Sequence, residues 1–464
     1  MTLINQINIF KILMSSGQKK KSLLSSWKEI AAYLDCDERT CRRWEKKHGL
    51  PINRIDKNST ARVYAFRNEL DKWLSERTSD KTKSISFILP KSIISKFLLF
   101  LLLTIPLFLI FLFTTRIVKD RIPADFKVEG STLFIINKRG RYLWSFYTGI
   151  ENLIGDEHYK KHFQYRRRIN TIVSYLPHII IKDITNDKKP EVLFSIQTQD
   201  EFDEGKLICF DYKGNLVWDF KTGKELTYGE KAISQDYRIR GFDVSDLNGD
   251  GNFEIVIIAS HQYRFPTQLV ILNSQGQRLG EYWNSGRFSD LQFIDLNKDG
   301  RAEIVLSGCN NEYRKGCLIV FDTAHIRGGS PQNTEEFICK ELEPGTEKYY
   351  ILFPRTDLDL LEAKVEAIST IDDLENHRLL LLSLVGRILF ELSYDLEIQS
   401  ITLSHIFQQK HGLAHLEGKI KSELNEEYEE NLKKGLLYYD GEKWISTPTM
   451  TSYWKNTALN GFVA

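Results

Sequence analysis

Two segments of the sequence repeat one spacing of oxygen-bearing side chains. DLNGDGNFE begins at Asp246 and DLNKDGRAE begins at Asp295, so each reads Asp-x-Asn-x-Asp-Gly-x-x-Glu. Carboxylate and amide oxygens at loop positions 1, 3 and 5, followed by a glycine that permits a sharp turn, form a pattern that binds hard cations. Both segments are therefore predicted to bind calcium.

The predicted ligands are side-chain oxygens and one backbone carbonyl in each loop. In the first loop they are Asp246, Asn248, Asp250 and Glu254, with the carbonyl of Asn252. In the second loop they are Asp295, Asn297, Asp299 and Glu303, with the carbonyl of Arg301. An EF-hand would carry a glutamate at loop position 12 and a helix on each side, whereas a β-rich run follows both segments here.

A third segment, DITNDKKPE from Asp183, is a degenerate copy of the same pattern. Thr185 stands at the second ligand position, and Lys188 replaces the glycine and adds a positive charge. We do not expect this copy to bind metal. The alternative for the two better loops is that Asx-rich turns stabilise β corners without a metal.

Short apolar runs separated by turn residues should position these loops. From about Ile122 onward, β-branched and aromatic runs alternate with Gly, Asn and Asp, which is typical of an all-β domain. Hairpin-like repeats occur at residues 131–149, 206–223, 268–286, 379–393 and 435–446. Such repeats indicate a β-propeller built from small antiparallel sheets, and residues 122–464 leave room for six or seven blades.

These acidic loops resemble the FG-GAP and VCBS repeats of integrin-like β-propellers, in which such loops bind calcium. The resemblance covers the loops at Asp246 and Asp295 well and the other repeats loosely. It implies two calcium sites and a propeller fold for the body of the protein.

The N-terminal region combines helix signals with an excess of positive charge. Residues 19–83 hold 17 Lys and Arg against 10 Asp and Glu, in a chain whose net charge is +1. Ser26 and Glu29 form a capping box for a first helix, and Asp37 is a suitable N-cap for a second helix that Gly49 ends. Two short helices, the second of them basic, predict that the second helix enters the major groove of DNA.

The segment KEIAAYLDCDERTCRRWEKKHGLP resembles the helix-turn-helix of MerR-type and excisionase-type winged domains. The matching positions are Ile30-Ala31, Thr40, Arg43-Trp44-Glu45 and Gly49-Leu50-Pro51. Double-stranded DNA is the partner that this resemblance implies, with a wing around residues 57–59. The predicted DNA-binding residues are Arg39, Arg42, Arg43, Lys46, Lys47, Arg54, Lys57 and Arg62. The alternative is a solvated helix face without a ligand.

An uncharged stretch, FLLFLLLTIPLFLIFLFTT at residues 97–115, separates the two regions. About 20 apolar residues in a helix rise roughly 30 Å, which is enough to cross a bilayer. A single-pass inner-membrane protein is predicted, with a cytoplasmic N-terminus because DNA lies there, and an extracytoplasmic C-terminus. The predicted domains are a flexible basic N-terminus (1–22), a DNA-binding domain (23–77), a linker (78–92), a transmembrane helix (93–117) and a propeller (122–464).

The predicted fold class is multidomain: a small α winged helix-turn-helix head, one transmembrane helix and an all-β propeller body. The predicted function is a bacterial, membrane-anchored one-component transcriptional regulator whose propeller senses an extracytoplasmic ligand or protein. Winged heads read paired half-sites, so a homodimer is the expected active form. The alternative is an integrin-like envelope adhesion or protein-interaction module whose head binds a protein rather than DNA.

No enzymatic activity is predicted, because the sequence contains no phosphate loop, nucleophile elbow or other catalytic constellation. The ten histidines are scattered and show no metal-ligand spacing. Six cysteines in a chain of this length do not form a disulfide scaffold. Cys309 and Cys317 either pair outside the cytoplasm or remain core thiols.

Overall fold

The structure is a computed structural model that describes residues 23–54, 63–79, 100, 104–106, 108, 121–164, 176–199, 205–261, 265–323, 325–374, 376–385 and 387–459. The chain divides into two compact units, Met1–Phe108 and Leu109–Ala464. Helices dominate the described part of the first unit, and antiparallel sheets dominate that of the second.

Three helices and three short strands make up the described part of residues 23–79. The helices are α1 (Trp27–Tyr33), α2 (Glu38–His48) and α3 (Arg67–Ser79), and the strands are β1 (Leu23–Leu24), β2 (Asn53–Arg54) and β3 (Val63–Phe66). The strands form a sheet in the order β1-β3-β2. Ile30, Cys41 and Leu70 are fully buried in the small core between these elements. The Trp73 indole donates to the carbonyl of His48 at 3.0 Å and so ties α3 to the end of α2.

The ends of α1 and α2 follow the predicted capping signals. The hydroxyl of Ser26 accepts the Glu29 N–H at 3.2 Å, and the Glu29 carboxylate accepts the Ser25 N–H, one residue earlier than a capping box requires. The Asp37 side chain accepts a backbone N–H of α2 at 2.8 Å. Gly49 ends α2 with a φ of 62°, a left-handed conformation that glycine adopts without a steric penalty. These predicted boundaries are confirmed.

Five antiparallel sheets follow one another along the second unit. Sheet 1 contains β4 (Asp125–Glu129), β5 (Thr132–Ile136) and β6 (Tyr142–Tyr147); sheet 2 contains β7 (Ile179–Lys182), β8 (Glu191–Ser195), β9 (Lys206–Phe210) and β10 (Leu216–Lys221). After a hairpin of β11 (Leu226–Tyr228) and β12 (Lys231–Ile233), sheet 3 contains β13 (Tyr237–Ser245), β14 (Glu254–His261), β15 (Thr267–Leu272) and β16 (Arg278–Asn284).

Sheets 4 and 5 follow, and sheet 4 has a long connection between two of its strands. Sheet 4 contains β17 (Phe288–Ile294), β18 (Glu303–Asn310), β19 (Lys315–Phe321) and β20 (Tyr349–Leu352); sheet 5 contains β21 (Ile368–Leu374), β22 (Arg378–Ser383), β23 (Ile388–Ser393) and β24 (Ile398–Leu403). The C-terminal hairpin of β25 (Leu437–Tyr439) and β26 (Trp444–Ile445) extends sheet 4, because β25 pairs with β20. Between β19 and β20 the chain makes a long excursion, residues 322–348, which includes a 3-10 turn at Glu335–Phe337.

Five helices accompany the sheets of the second unit in its described part. They are α4 (Asp156–Gln164), α5 (Asp357–Leu361), α6 (His405–Leu416), α7 (Glu426–Lys434) and α8 (Ser452–Leu459). Phe407 of α6 and Leu432 of α7 belong to the core of sheet 5, whereas Tyr159 of α4 belongs to the core of sheets 1 and 2.

Consecutive sheets pack face to face, because successive residues of a strand point to opposite faces. In β8, Val192 and Phe194 lie in the core between sheets 1 and 2, while Leu193 lies in the core between sheets 2 and 3. Similar cores join sheets 3 and 4 and sheets 4 and 5. Stacked meander sheets are the way in which blades are arranged in a β-propeller. The prediction that the body is mostly β is confirmed at this coarse level.

The two strongest hairpin repeats carry a contact that joins neighbouring sheets. Trp144 of β6 donates its indole N–H to a backbone carbonyl of sheet 2 at 3.2 Å and packs on Gly214, where a Cβ would lie 2.6 Å from the ring. Trp218 of β10 makes the same contact with sheet 3 at 3.0 Å and packs on Gly276, where a Cβ would lie 2.5 Å from the ring. Both glycines are therefore required by the close approach of an indole.

The predicted fold class is wrong as a whole. In the described residues of the first unit no winged head is present: β2 has two residues, and residues 55–62, where the wing was predicted, lie outside the description. In its described part the body contains five sheets of three or more strands and one two-stranded sheet, β11–β12, rather than six or seven blades. The excursion and the C-terminal hairpin add to sheet 4 instead of forming further blades.

The predicted transmembrane helix and inner-membrane localisation are also wrong. Among the described residues, no helix is long and apolar enough to cross a membrane. Within the predicted span the structure describes only residues 100, 104–106 and 108, and the rest of the span lies outside the described residues. A long apolar run is a necessary condition for a membrane span but not a sufficient one. The predicted N-terminal tether (1–22) and most of the linker (78–92) lie outside the described residues.

Candidate functional site

The three acidic loops occupy one structural position. Each connects the first two strands of its sheet: the degenerate loop joins β7 to β8, the first loop joins β13 to β14, and the second loop joins β17 to β18. In each case the last residue of the pattern begins the second strand. Glu191, Glu254 and Glu303 are all buried there, and each accepts a backbone N–H from the start of its own loop at 2.8 to 2.9 Å.

Side-chain oxygens converge in the first loop. Asp246 accepts the N–H groups of Gly249 and Gly251, which turns both carboxylate oxygens inward. The Asn248 amide lies 3.2 Å from both Asp250 and Glu254. A hydrogen bond from a backbone N–H lowers the pKa of Asp250, while burial raises the pKa of Glu254. Among the described residues no basic side chain pairs with Glu254.

The second loop has the same hydrogen-bond pattern but differs in one charge. Asn297 lies 2.9 Å from Asp299, and Asp295 accepts two backbone N–H groups, as in the first loop. The ammonium of Lys348, however, lies 2.8 Å from Glu303, with the two side chains 14% and 4% exposed. This cation occupies one oxygen of a predicted ligand, so the second loop offers less negative charge to calcium than the first.

The degenerate loop keeps the turn without the ligands. Asp183 again accepts two backbone N–H groups, and the hydroxyl of Thr185 replaces the amide as the partner of Glu191. Lys188 adopts a φ of 68°, so a non-glycine residue takes up the strained position of the pattern. The turn therefore forms without a glycine and without a full ligand set, which shows that the acidic turn also has a structural role.

The residues of the first loop fit a calcium ion by their chemistry. Carboxylate oxygens of Asp250 and Glu254 both lie within 3.2 Å of the Asn248 NH2 group, and such hard oxygen donors are the ligands that calcium prefers. The Asn248 oxygen accepts the N–H of Asp250 instead, so the amide would have to turn to become a ligand. In the second loop the donor types are the same, but the Lys348 ammonium competes for Glu303.

The predicted DNA-binding residues of α2 lie on one exposed face. Arg39, Arg42, Arg43, Lys46 and Lys47 are all exposed. The opposite face is packed: Cys41 is fully buried and Trp44 contacts Trp73, with ring centroids 5.8 Å apart. Arg42 is partly engaged, because it pairs with Glu38 at 3.5 Å and lies over the ring of Trp27.

The remaining predicted DNA-binding residues are not brought to this face as a set. Arg54 is held by Glu45 of α2 through two N–H···O contacts, the longer of which is 3.0 Å, so its charge is largely compensated. Lys57 and Arg62 lie outside the described residues. The described part of the predicted surface is therefore the α2 face alone.

A cavity of about 570 Å³ lies in the second unit beside the excursion. Its lining includes Tyr228 and Trp283 of the sheets, Phe337 and Glu347 of the excursion, and Tyr453 of the C-terminal segment. Glu347 is 1% exposed, and burial raises the pKa of its carboxyl to about 8. Burial therefore favours the neutral form of this carboxyl, which is one of the residues that line the cavity. The sequence gives no local signal for this group.

Three histidines that were not predicted as a site lie close together in the structure. One ring nitrogen from each of His158, His162 and His178 lies within 4.8 Å of the other two. Burial lowers the pKa of all three imidazoles, that of His158 to about 4. The first two residues are four apart on α4, which is the spacing that places two side chains on one helix face. The statement that the histidines lack metal-ligand spacing is therefore wrong for this pair.

All six cysteines are free. Cys309 and Cys317 lie on the paired strands β18 and β19, but each is opposite a glycine rather than the other cysteine. Of the two alternatives for this pair, the core thiols are the one observed.

Comparison with known proteins gives no family. No protein-family model matches the chain, and no curated protein matches it. Among solved structures, the Dos1 propeller is 9% identical, covers 59% of this chain and 65% of its own, and superposes with a TM-score of 0.28. The biofilm matrix protein Bap1 of V. cholerae is 12% identical, covers 62% of this chain and 47% of its own, and has a TM-score of 0.20. The chain thus spans under two thirds of either protein, and similarities this low support no conclusion about its function.

Proposed function

We propose that the protein is a DNA-binding regulator whose basic helix α2 contacts duplex DNA and whose β-sheet body binds calcium. The observation that carries the proposal is the division of α2 into a packed face and a face of five exposed cations. A helix of 11 residues, capped at both ends, presents these cations on a rigid element. The major groove of B-DNA is wide enough to admit such a helix.

The cationic side chains of α2 are expected to make different kinds of contact with DNA. Arg39 and Arg43 lie on the exposed face, and no ion pair of either occurs among the described residues, so both guanidinium groups are available to base edges or phosphates. Lys46 and Lys47 in the last turn are suited to phosphates, which they would contact as point charges. Arg42 is expected to contribute less, because Glu38 already pairs with it.

Substitution of Arg39→Gln together with Arg43→Gln should weaken duplex DNA binding by the full-length protein more than tenfold. Binding releases fewer counterions when a phosphate contact is lost. The slope of log K against log salt should therefore become less negative by about 0.9 for each lost contact. Fluorescence anisotropy with a labelled duplex at several salt concentrations measures both quantities.

The matched control is Lys72→Gln together with Arg77→Gln on α3, where both side chains are exposed. This pair removes the same charge from another helix and should change the affinity by less than about twofold. Equal losses in the two double variants, or no salt-sensitive binding in the wild type, would contradict the proposed role of α2. Binding of a protein instead of DNA by the same face would favour an interaction module.

Calcium is proposed to bind mainly in the first loop. At 10 mM, with a Kd of about 10⁻⁴ to 10⁻³ M, it should stabilise the folded protein by about 1.4 to 2.7 kcal/mol. Asp250→Asn should remove most of this stabilisation, because the amide keeps the hydrogen bond that Asp250 accepts from Asn252 but loses the charge. Thermal melts with CaCl2 and with EDTA measure the difference.

The control is Asp187→Asn, an exposed aspartate at the equivalent position of the degenerate loop. Its calcium-induced shift in Tm should equal that of the wild type. The calcium assignment fails if the wild-type Tm does not respond to millimolar calcium, or if both variants lose the response equally.

A further inference from the structure

We propose that His158, His162 and His178 form a binding site for a divalent transition-metal ion of the zinc class. The site lies where α4 packs between sheets 1 and 2, and it is separate from the acidic loops and from α2. Two of its residues come from one helix and the third comes directly before β7.

The three rings are close to one another. The ring centroids of His158 and His162 are 4.4 Å apart, those of His162 and His178 are 4.6 Å apart, and those of His158 and His178 are 5.4 Å apart. Three nitrogens held around one ion at about 2.1 Å would lie about 3.4 Å from one another. The nitrogens already lie within 4.8 Å, so small ring rotations are enough to reach this geometry.

Hydrogen bonds orient two of the rings. Nδ1 of His162 lies 2.7 Å from the carbonyl of Leu176, to which it donates. Nδ1 of His178 lies 3.2 Å from the hydroxyl of Ser195. In protein metal sites the ligating histidine commonly engages its other nitrogen with a carbonyl or hydroxyl in this way, so Nε2 is the atom that each ring would present to an ion. These contacts reproduce the outer shell of a metal site.

The third ring has a buried nitrogen that nothing in the described structure satisfies. Nε2 of His158 is inaccessible to solvent and has no hydrogen-bond partner among the described residues. A buried polar atom without a partner destabilises the fold, and such atoms are rare in folded proteins. Coordination of an ion by this nitrogen would remove the cost.

The backbone around the site is firmly held. The hydroxyl of Tyr159, next to His158, donates to the carbonyl of Ser195 and accepts the N–H of Gln197. The N–H of Ser195 in turn donates to the carbonyl of His178 at 2.9 Å. The helix that carries His158 and His162 and the backbone of His178 are thus both hydrogen-bonded to Ser195 of β8. Such fixed backbone positions give the rigidity that a metal site needs.

The chemistry of the ligands selects the ion. Neutral imidazoles suit zinc, copper, nickel and cobalt, whereas calcium and magnesium prefer oxygen. Among the described residues no thiol or carboxylate joins the three rings, so water or an added ligand would complete the coordination. Arg238 and Arg240 add positive potential at His178, which weakens the binding of a cation, so an anion such as hydroxide or chloride is the expected fourth ligand.

Titration of the full-length, tag-free protein with Co²⁺ tests the site. One Co²⁺ per chain should bind and give the intense visible absorption of a four-coordinate nitrogen site, and Zn²⁺ should displace it. His162→Gln should weaken binding at least 100-fold and abolish this absorption. His158→Gln, at a partly buried ring, should do the same and serves as the second variant if His162→Gln does not fold.

The controls separate this site from the rest of the molecule. His405→Gln removes an exposed histidine of α6 and should leave the absorption unchanged. Asp250→Asn removes a charge from the first acidic loop and should also leave it unchanged. The proposal is overturned if the wild type gives only the weak spectrum of a six-coordinate oxygen site, or if the histidine variants bind Co²⁺ as the wild type does.

Discussion

Replacing Glu347 with glutamine should raise the free energy of unfolding at pH 9 by about 2 to 5 kcal/mol, and the gain should vanish near pH 4. Glu347 is 1% exposed, and its Oε2 has no hydrogen-bond partner in the described structure. Burial raises the pKa of this carboxyl from 4.5 to about 8. Glutamine has the shape of the protonated acid but cannot ionise.

The sign follows from the protons bound in each state. Between pH 4.5 and pH 8 the folded protein keeps the proton of Glu347, whereas the unfolded chain has released it. The wild type therefore loses stability as the pH rises through this window, and the loss is complete above pH 8. The variant lacks this slope, so the two curves coincide at low pH and separate as the pH rises.

Urea unfolding of both proteins at pH 4.5, 7 and 9 measures the effect. Glu343→Gln, an exposed residue of the same excursion, controls for the loss of a negative charge at the surface. If Glu347→Gln and Glu343→Gln changed stability by the same amount at pH 9, the carboxyl of Glu347 would not be buried in its neutral form.

Replacing Lys348 with methionine should destabilise the protein by about 3 to 5 kcal/mol in EDTA, because it leaves a buried carboxylate without its cation. The Lys348 ammonium lies 2.8 Å from Glu303, whose side chain is 4% exposed. The same change should increase the stabilisation by calcium, since Glu303 then becomes available as a ligand of the second loop. The cation thus sets how strongly this loop depends on calcium.

Unfolding in urea with EDTA and with 10 mM CaCl2 separates the two effects. Lys340→Met, at an exposed position of the excursion, is the matched control and should be close to the wild type in both conditions. A loss of stability in Lys348→Met that calcium does not reduce would show that the second loop is a structural turn rather than a metal site.

Local signals in the sequence predicted the local structure well. The caps of α2 at Asp37 and Gly49 were read from residue type alone, because capping depends on a single turn of chain. The five hairpin repeats also form strand pairs, from β5–β6 to β25–β26. The acidic loops lie at the strand connections that their spacing predicted, although whether they bind calcium stays a prediction.

Contacts between residues far apart in the chain could not be predicted from the sequence. The pairing of β25 with β20 places Tyr438 opposite Ile351, and no nearby residue signals a partner that far along the chain. For the same reason the sequence did not show that Lys348 reaches Glu303 or that His178 joins the histidines of α4. The blade count failed because it rested on the length of residues 122–464, part of which extends sheet 4 instead of forming further sheets.

The contact between an indole and the turn glycine of the next sheet has a consequence at sheet 3. In the first two repeats a tryptophan follows the turn glycine by four residues, but after Gly276 that position is Gly280. A Cβ at Gly280 would lie 2.6 Å from the carbonyl of Ile326, and the neighbouring N–H donates to the same carbonyl at 3.1 Å. The excursion, part of which lines the cavity, therefore contacts β16 at the position where the first two repeats have a tryptophan. The absence of one side chain, at Gly280, thus leaves room for a connecting segment to pack on the sheet and to line a cavity, without a separate domain.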